Sequence, residues 1–194
     1  MRVTVPVLML ALTAAATSAM AAPPAGWFLA GTDPTAYEAV LDPQETHAGA
    51  KSVRYASTRE PKGFGTMMQS FDATDYRGKR LRFSAWVKAK DVQEWAGLWM
   101  RVDDASQPVK TLAFDNMQSR AIKGTSNWTR YSVVLDVAPA ASGVSLGILV
   151  SGKGTVWMSQ GSVDVVGNDV AVTDMYSGAN TKSHKKPENL DFEH

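Results

Sequence analysis

No cysteine occurs among the 194 residues of this chain, and that absence excludes a disulfide framework, a thiol nucleophile and thiolate metal ligands. Histidine is almost as scarce, since the chain has only His47, His184 and His194. Their spacing matches no pair of metal ligands, and none is placed to act as the base of a Ser-His-Asp arrangement. We therefore expect no catalytic residue, no metal ligand and no cofactor.

An excess of charge of one sign is missing as well. The chain carries 20 Lys and Arg residues against 19 Asp and Glu residues, and a surface this balanced argues against nucleic acid and anionic membrane as partners. No stretch keeps an amphipathic helical period over a dozen residues. What remains has ordinary globular composition, with 44% hydrophobic and 20% charged residues, and the length of one domain.

One long apolar run is present, at the N-terminus. Met1-Arg2 gives a short positive start, residues 5–20 are apolar or small, and Ala19-Met20-Ala21 fits a small-x-small cleavage site. A transmembrane anchor is the alternative, but the alanines and threonines make a weak span and no positive flank follows it. The pattern predicts a signal peptide over residues 1–21 and a periplasmic or secreted mature chain with no membrane attachment.

Short alternating runs separated by turn residues fill the chain as far as residue 174, which is typical of a sandwich or barrel. The predicted strands are Trp27–Gly31, Tyr37–Asp42, Lys51–Ser57, Phe64–Ala73, Lys79–Val92, Trp95–Asp103, Thr111–Asn116, Trp128–Ala138, Val144–Ser151 and Thr155–Val166. Because this is too many strands for one open sheet, residues 22–174 are predicted to form an all-β, two-sheet antiparallel β-sandwich of jelly-roll type. Residues 175–194 are predicted to be a polar linker and tail, in which residues 189–193 either dock as an edge strand, the alternative we favour, or fray.

Side chains alternate between the two faces of a strand, and this divides three of the predicted strands into core and outer sets. Leu81, Phe83, Leu98 and Met100 belong to the core set, and so do Thr129 and Tyr131, whereas Val134 is expected to face outward. The outer set supplies the candidate ligand-binding residues, which are Trp86, Trp99, Arg101, Asp103 and Arg130. If the three strands are neighbours, these side chains form one continuous aromatic surface.

Such a surface suits a polysaccharide, because aromatic rings stack on the C–H faces of sugars while Arg and Asp bond the hydroxyls. The predicted function is an exported, monomeric, non-catalytic module that binds glycans. One alternative is a structural or protein-interaction domain of the periplasm with an envelope protein as partner, its outer aromatics covered by loops or paired across strands. Another is a glycoside hydrolase, which needs two carboxylates across a cleft; Asp103 with Asp136 or Glu94 would supply them.

Several segments together resemble a known family. Tyr37-Glu38 with Asp42, followed by His47-x-Gly49-x-x-Ser52, resembles the early signature of carbohydrate-binding-module-like jelly rolls of the galactose-binding-domain type. Residues 76–87 are similar to the long middle strand of these modules. Residues 95–103, with 115–117 and 123–125, resemble a bacterial subgroup of uncharacterised modules, and residues 128–135 and 152–157 continue the likeness. The resemblance spans residues 26–172.

The resemblance implies a β-sandwich of two antiparallel sheets. Modules of this kind are attached to serine peptidases, bacterial transcription regulators and sugar-active enzymes. The resemblance therefore implies sugar binding only as a common property of the class. Many also hold a structural calcium through a carboxylate of the first strand and an Asp that follows the aromatic of the last strand. Here Ser159 and Gln160 follow Trp157-Met158, and a hard cation needs several oxygen ligands, so we expect no calcium.

Overall fold

The computed structural model describes residues 22–176, and within them nine β-strands and three short 3-10 helices account for the regular structure. The strands are β1 (Phe28–Gly31), β2 (Tyr37–His47), β3 (Ala50–Ser57), β4 (Phe64–Asp72), β5 (Arg80–Asp104), β6 (Thr111–Asp115), β7 (Ile122–Asp136), β8 (Ala141–Ser151) and β9 (Thr155–Val166). The 3-10 helices are Pro34–Ala36, Thr74–Tyr76 and Gln118–Arg120. All pairings between these strands are antiparallel, which confirms the all-β prediction. Over this span, no helix has both the length and the apolar character needed to cross a bilayer.

Strand β5 connects the two halves of the structure. Its first half pairs with β7 and β9, and its second half pairs with β8 and β6. The strand order is β1-β4-β8-β5-β6 on one side and β7-β5-β9-β3-β2 on the other. The prediction of separate strands at Lys79–Val92 and Trp95–Asp103 is therefore wrong. Register shifts along the pairing with β7 and a positive φ of 53° at Asp91 let one strand bend between the sheets without ending.

The core lies between the two sheets and is built from the predicted alternation. Leu81, Phe83, Leu98 and Met100 are at most 2% exposed. Tyr37 and Tyr55 add two fully buried rings, stacked with their centroids 5.4 Å apart. Burying a large apolar side chain stabilises a fold by roughly 1.5–3 kcal/mol. The alternating positions of β5 therefore contribute to the stability of the core along both halves of the strand.

Strand β7 departs from its predicted alternation at three positions. Thr129 is exposed and Tyr131 is only partly buried, because β7 pairs with β5 alone and forms the edge of its sheet. In the opposite direction, Val134 is 3% exposed although it was expected to face outward. The backbone N–H of Thr173 donates to the Val134 carbonyl at 2.8 Å, so the chain that follows β9 covers this position.

The described chain ends beside β6. The backbone N–H of Met175 donates to the Phe114 carbonyl at 2.8 Å, and the Tyr176 ring lies 6.3 Å from that of Phe114. The predicted signal peptide over residues 1–21 and the predicted edge strand over residues 189–193 lie outside the described residues.

Candidate functional site

The five predicted site residues fall on two different sheets. Trp99, Arg101 and Asp103 belong to the second half of β5, whereas Trp86 lies in its first half and pairs with Arg130 of β7. The expectation of one continuous surface is therefore corrected. Because β5 bends between the sheets, its outward side chains point away from the core in two directions. We call the outer side of the β1-β4-β8-β5-β6 sheet the groove face, and that of the other sheet the hairpin face.

A groove of about 350 Å³ crosses the groove face. Its lining comes from five strands and the segment that follows β6: Ala30, Gly31, Phe64, Thr66, Met68, Trp95, Trp99, Arg101, Phe114, Asn116 and Leu149. The volume lies at the lower end of the roughly 300–1,000 Å³ typical of small-molecule sites. Aromatic and aliphatic side chains dominate this lining, which is a chemistry suited to a ligand with apolar surfaces.

Trp99 forms the floor of the groove and is fixed there. Its ring is 7% exposed, and its Nε1–H donates to Thr66 Oγ1 at 2.7 Å. The Thr66 hydroxyl in turn donates to the Ile148 carbonyl at 2.9 Å. On β8 the residue opposite Trp99 is Gly147. This chain of hydrogen bonds joins β5, β4 and β8 and leaves the indole N–H already satisfied, so Trp99 offers a ligand only the small exposed part of its ring.

Arg101 stands at one end of the groove and is held by Asp103. The Arg101 Nε–H donates to Asp103 Oδ2 at 2.7 Å, and the Thr111 hydroxyl donates to Asp103 Oδ1 at 3.1 Å. The Asp103 side chain is 12% exposed, whereas the Arg101 side chain is 42% exposed. Within residues 22–176 the two terminal nitrogens of Arg101 have no hydrogen-bond partner. The structure therefore presents the end of a guanidinium group whose other edge is already anchored.

Asn116 reaches the groove because the backbone after β6 packs against β5 at Gly97. A Cβ on Gly97 would lie 2.7 Å from the Asn116 carbonyl oxygen, so only glycine permits this approach. The segment is also anchored by Asp115, which is fully buried and bonds both terminal nitrogens of Arg120. The Asn116 side-chain oxygen accepts from the backbone N–H of Gln118 at 3.1 Å, which leaves its amide N–H groups for the groove.

The aromatic rings of the hairpin face are partly covered by the chain itself. At the end of β2, the His47 ring stacks on Trp86 with centroids 4.2 Å apart and lies 5.4 Å from Trp128. Trp157 is 9% exposed and donates its Nε1–H to Asp42 Oδ2 at 2.9 Å. This hydrogen bond is the main cause that holds the pKa of the Asp42 carboxyl below its usual value. The turn between β2 and β3 thus covers part of these outward aromatic rings, which is one of the alternatives drawn from the sequence pattern.

Cations on the hairpin face also have partners. Lys88 Nζ lies 2.9 Å from Glu45 Oε2 and 5.6 Å from the centre of the Trp157 ring. The exposed Arg130 donates from Nη2 to the Ser84 hydroxyl at 2.9 Å. Trp86 and Arg130 therefore keep their predicted outward direction, but neither lies near the groove.

The carboxylates considered for hydrolysis are each engaged elsewhere. Asp103 and Asp136 lie on different sheets, and Asp136 makes two hydrogen bonds with Arg80 at 2.7 and 3.0 Å. Glu94 accepts from the Ser151 hydroxyl at 2.5 Å. Among residues 22–176 no group of three or more His, Asp or Glu side chains is arranged to hold a metal ion, and Ser159, at the calcium position of the resembling family, donates to the Lys51 carbonyl.

Four side chains of the groove, those of Trp95, Phe64, Phe114 and Asn116, are missing from the candidate set that the sequence pattern gave. Trp95 shares the outer parity of Trp99 four residues later on the same strand, so that spacing was a usable signal. Phe64 and Phe114 come from strands whose neighbours are distant in sequence, and Asn116 lies beyond the end of β6. No local pattern identifies Phe64, Phe114 and Asn116 as groove residues, because their positions depend on the pairing of β4 with β8 and of β6 with β5.

Comparison with known proteins supports the fold. No family model matches the chain. It is 42% identical over 170 residues to the "Uncharacterized HTH-type transcriptional regulator YbfP" of Bacillus subtilis (strain 168), a match that covers 87% of this chain and 56% of that protein. The chain thus spans little more than half of that relative's length.

Solved structures of similar shape include carbohydrate-binding modules. The CBM22-1 xylan-binding domain of Paenibacillus barcinonensis Xyn10C has a TM-score of 0.53 at 16% identity, over 76% of this chain and 90% of that one. The Clostridium thermocellum Xyn10B CBM22-1-GH10 modules, complexed with xylohexaose, give 0.53 at 14%, over 73% and 26%. The bacteriophage CBA120 tailspike protein 4 gives 0.53 at 15%, over 73% and 20%. These likenesses show that the chain has the β-sandwich jelly-roll fold of carbohydrate-binding modules.

Proposed function

We propose that this chain is a non-catalytic module that binds a short saccharide in the groove lined by Trp95, Trp99 and Arg101. The observation that carries the proposal is the groove itself, an aromatic-floored depression with hydrogen-bond donors at one end. Sugar rings pair an apolar C–H face with polar edges, which matches this division of the lining. The shared fold with the xylan-binding domain of Xyn10C adds support. Of the predicted site residues, Trp99, Arg101 and Asp103 belong to this proposal, and Trp86 and Arg130 do not.

A matched pair of tryptophan variants tests this assignment. The full chain is first screened on an array of cell-wall oligosaccharides that includes xylohexaose, and the saccharide bound most tightly is then titrated calorimetrically. Trp95→Ala should weaken binding by about tenfold or more, because it removes a half-buried ring of the groove wall. Trp86→Ala, on the hairpin face, should leave the affinity unchanged. Failure of every saccharide to bind, or a loss confined to Trp86→Ala, would contradict the proposal.

We also propose that the chain is exported, cleaved after Ala21 and active as a monomer in the periplasm or medium, with a polysaccharide or an envelope protein as its partner. The positive start and apolar run of residues 1–20 support export. The regulator-like relative raises the opposite possibility, that such a module works inside the cell beside a DNA-binding region. N-terminal sequencing of the chain produced in a bacterial host decides between them: a start at Ala22 supports export, and a start at Met1 overturns it.

A further inference from the structure

The side chains of the groove offer hydrogen-bond donors and almost no acceptors. The Trp99 N–H donates to Thr66 Oγ1 and the Thr66 hydroxyl donates to the Ile148 carbonyl, so neither has a donor to spare for a ligand. The groups without a partner among residues 22–176 are the terminal nitrogens of Arg101, the Asn116 amide N–H groups and the Trp95 Nε1–H. All of these are donors. A neutral sugar hydroxyl both donates and accepts, so a groove of this composition would leave its donated hydrogens unmatched.

A carboxylate in the groove would supply acceptors, but the nearest carboxylate, that of Asp103, is already hydrogen-bonded within the protein. Both oxygens of Asp103 are occupied, one by Arg101 Nε and the other by Thr111 Oγ1, and the residue is 8% exposed. Asp103 therefore acts on Arg101 and is a positioning residue. Arg101 is the one charged side chain among the residues that line the groove, and it carries a positive charge at any physiological pH.

The geometry of Arg101 selects among anionic groups. With Nε bonded to Asp103, the two terminal nitrogens remain as a planar fork. Such a fork matches the two oxygens of a carboxylate through parallel N–H···O bonds, which are shorter and stronger than bonds between neutral groups. The adjoining apolar walls, including Trp95 and Phe114, suit a ring and not an extended charged chain.

We propose that the groove recognises a uronic acid residue, with the sugar carboxylate bound by the Arg101 fork and the pyranose C–H face against Trp95 and the exposed part of the Trp99 ring. This inference rests on the proposed saccharide binding and names the sugar class for that same site. The volume of about 350 Å³ suits a short saccharide or the end of a chain. Arg101 pairs with Phe114 of β6, and Asn116 follows Phe114 by two residues. From there the Asn116 amide would donate to a ring or hydroxyl oxygen of the sugar.

Calorimetric titration of the full chain with trigalacturonic acid, its methyl ester and neutral galactotriose tests the inference. The acid should bind about tenfold or more tightly than the ester, since the ester keeps the ring and loses the charge. The preference should shrink between about 0.05 and about 0.5 M NaCl, because added salt screens an exposed ion pair. Arg101→Gln should reduce the acid-to-ester affinity ratio to about one, and Arg101→Lys should restore part of it, since charge without the fork remains.

Arg130→Gln is the matched control, because it removes an exposed arginine on the hairpin face and should leave the ratio unchanged. Equal affinity for acid and ester in the unmodified chain would overturn the uronic acid inference and leave saccharide binding standing. A ratio that survives both Arg101→Gln and Arg101→Lys would also overturn it. Failure of all three sugars, together with failure on the oligosaccharide array, would remove the proposed function itself.

Discussion

The groove face and the hairpin face share one sequence pattern but differ in how far the rest of the chain covers their outward side chains. Both carry tryptophan and arginine at outward positions of β5. On the groove face the strands leave a depression in which the terminal nitrogens of Arg101 have no hydrogen-bond partner in the described part of the chain. On the hairpin face His47 stacks on Trp86 and Glu45 pairs with Lys88. The same residue types thus line an open groove on one side and are partly covered on the other, and the chain that folds over them decides which.

The largest expected difference between the faces concerns the two β5 tryptophans. Trp99→Ala should lower the free energy of unfolding by about 3–5 kcal/mol, because it empties a nearly buried site in the floor of the groove. Trp86→Ala should cost only about 1 kcal/mol, since that ring is partly exposed and packs on a turn. Urea unfolding of both variants measures the difference. Equal costs would show that the hairpin holds its tryptophan as firmly as the groove floor does.

A smaller effect on stability distinguishes the contribution of the Thr66 hydroxyl from that of the shape of its side chain. Thr66→Val keeps the shape but leaves the Trp99 N–H and the Ile148 carbonyl without their bonds, at a cost of about 1–3 kcal/mol for buried groups left unpaired. Thr66→Ser retains the hydroxyl and should cost less. The same denaturation experiment compares the two. If serine proves as destabilising as valine, the hydrogen bonds do not fix the floor.

Much of this fold follows from local alternation in the sequence. Leu81, Phe83, Leu98 and Met100 are buried because a strand places every second residue toward the core, and that pattern needs no knowledge of partners. The bend at Asp91 and the division of β5 between two sheets depend on pairing with β8 and β9, segments that lie far along the chain. Local patterns do not carry that information.

The candidate site was predictable only in part for the same reason. Outward parity predicted that Trp99 and Arg101 point away from the space between the sheets, and both line the groove, although Trp99 is only 7% exposed there. It did not reveal that Thr66, 33 residues earlier, bonds Trp99, or that the turn after His47 folds back over Trp86. That turn depends on positive φ values at Ala48 and Gly49 of 48° and 79°, which bring an imidazole from β2 onto a ring of β5.

The core beneath the groove should respond to alkaline conditions. Burial, followed by the nearby charges of Glu94 and Asp33, raises the pKa of Tyr37 to about 12, and its hydroxyl lies 2.9 Å from the Gly152 carbonyl. An unfolded tyrosine ionises near pH 10, so the folded state binds this proton more tightly. Its contribution to stability is complete below about pH 10 and is lost as the pH rises toward 12.

Tyr37→Phe should therefore flatten the decline of stability between about pH 10 and about pH 12. The decline should not vanish, because burial also raises the pKa of Tyr55. Thermal unfolding across this range gives the measurement, with Tyr176→Phe at the exposed end of the described chain as the control. An alkaline limb identical in Tyr37→Phe and the unmodified chain would show that Tyr37 ionises as easily folded as unfolded.

The smallest expected effect tests whether the hairpin face is merely covered. His47→Ala removes a partly exposed ring at a turn and should change the free energy of unfolding by no more than about 0.5 kcal/mol. It should nevertheless uncover one face of Trp86, so that acrylamide quenches tryptophan emission more strongly. The increase should be absent when the same substitution is made in a Trp86→Phe background. If quenching rises and the variant also gains saccharide binding, the hairpin face is a second recognition surface that His47 covers. If quenching is unchanged, the stacked His47 ring does not shield Trp86. The contrast between the two faces would then depend on the groove alone.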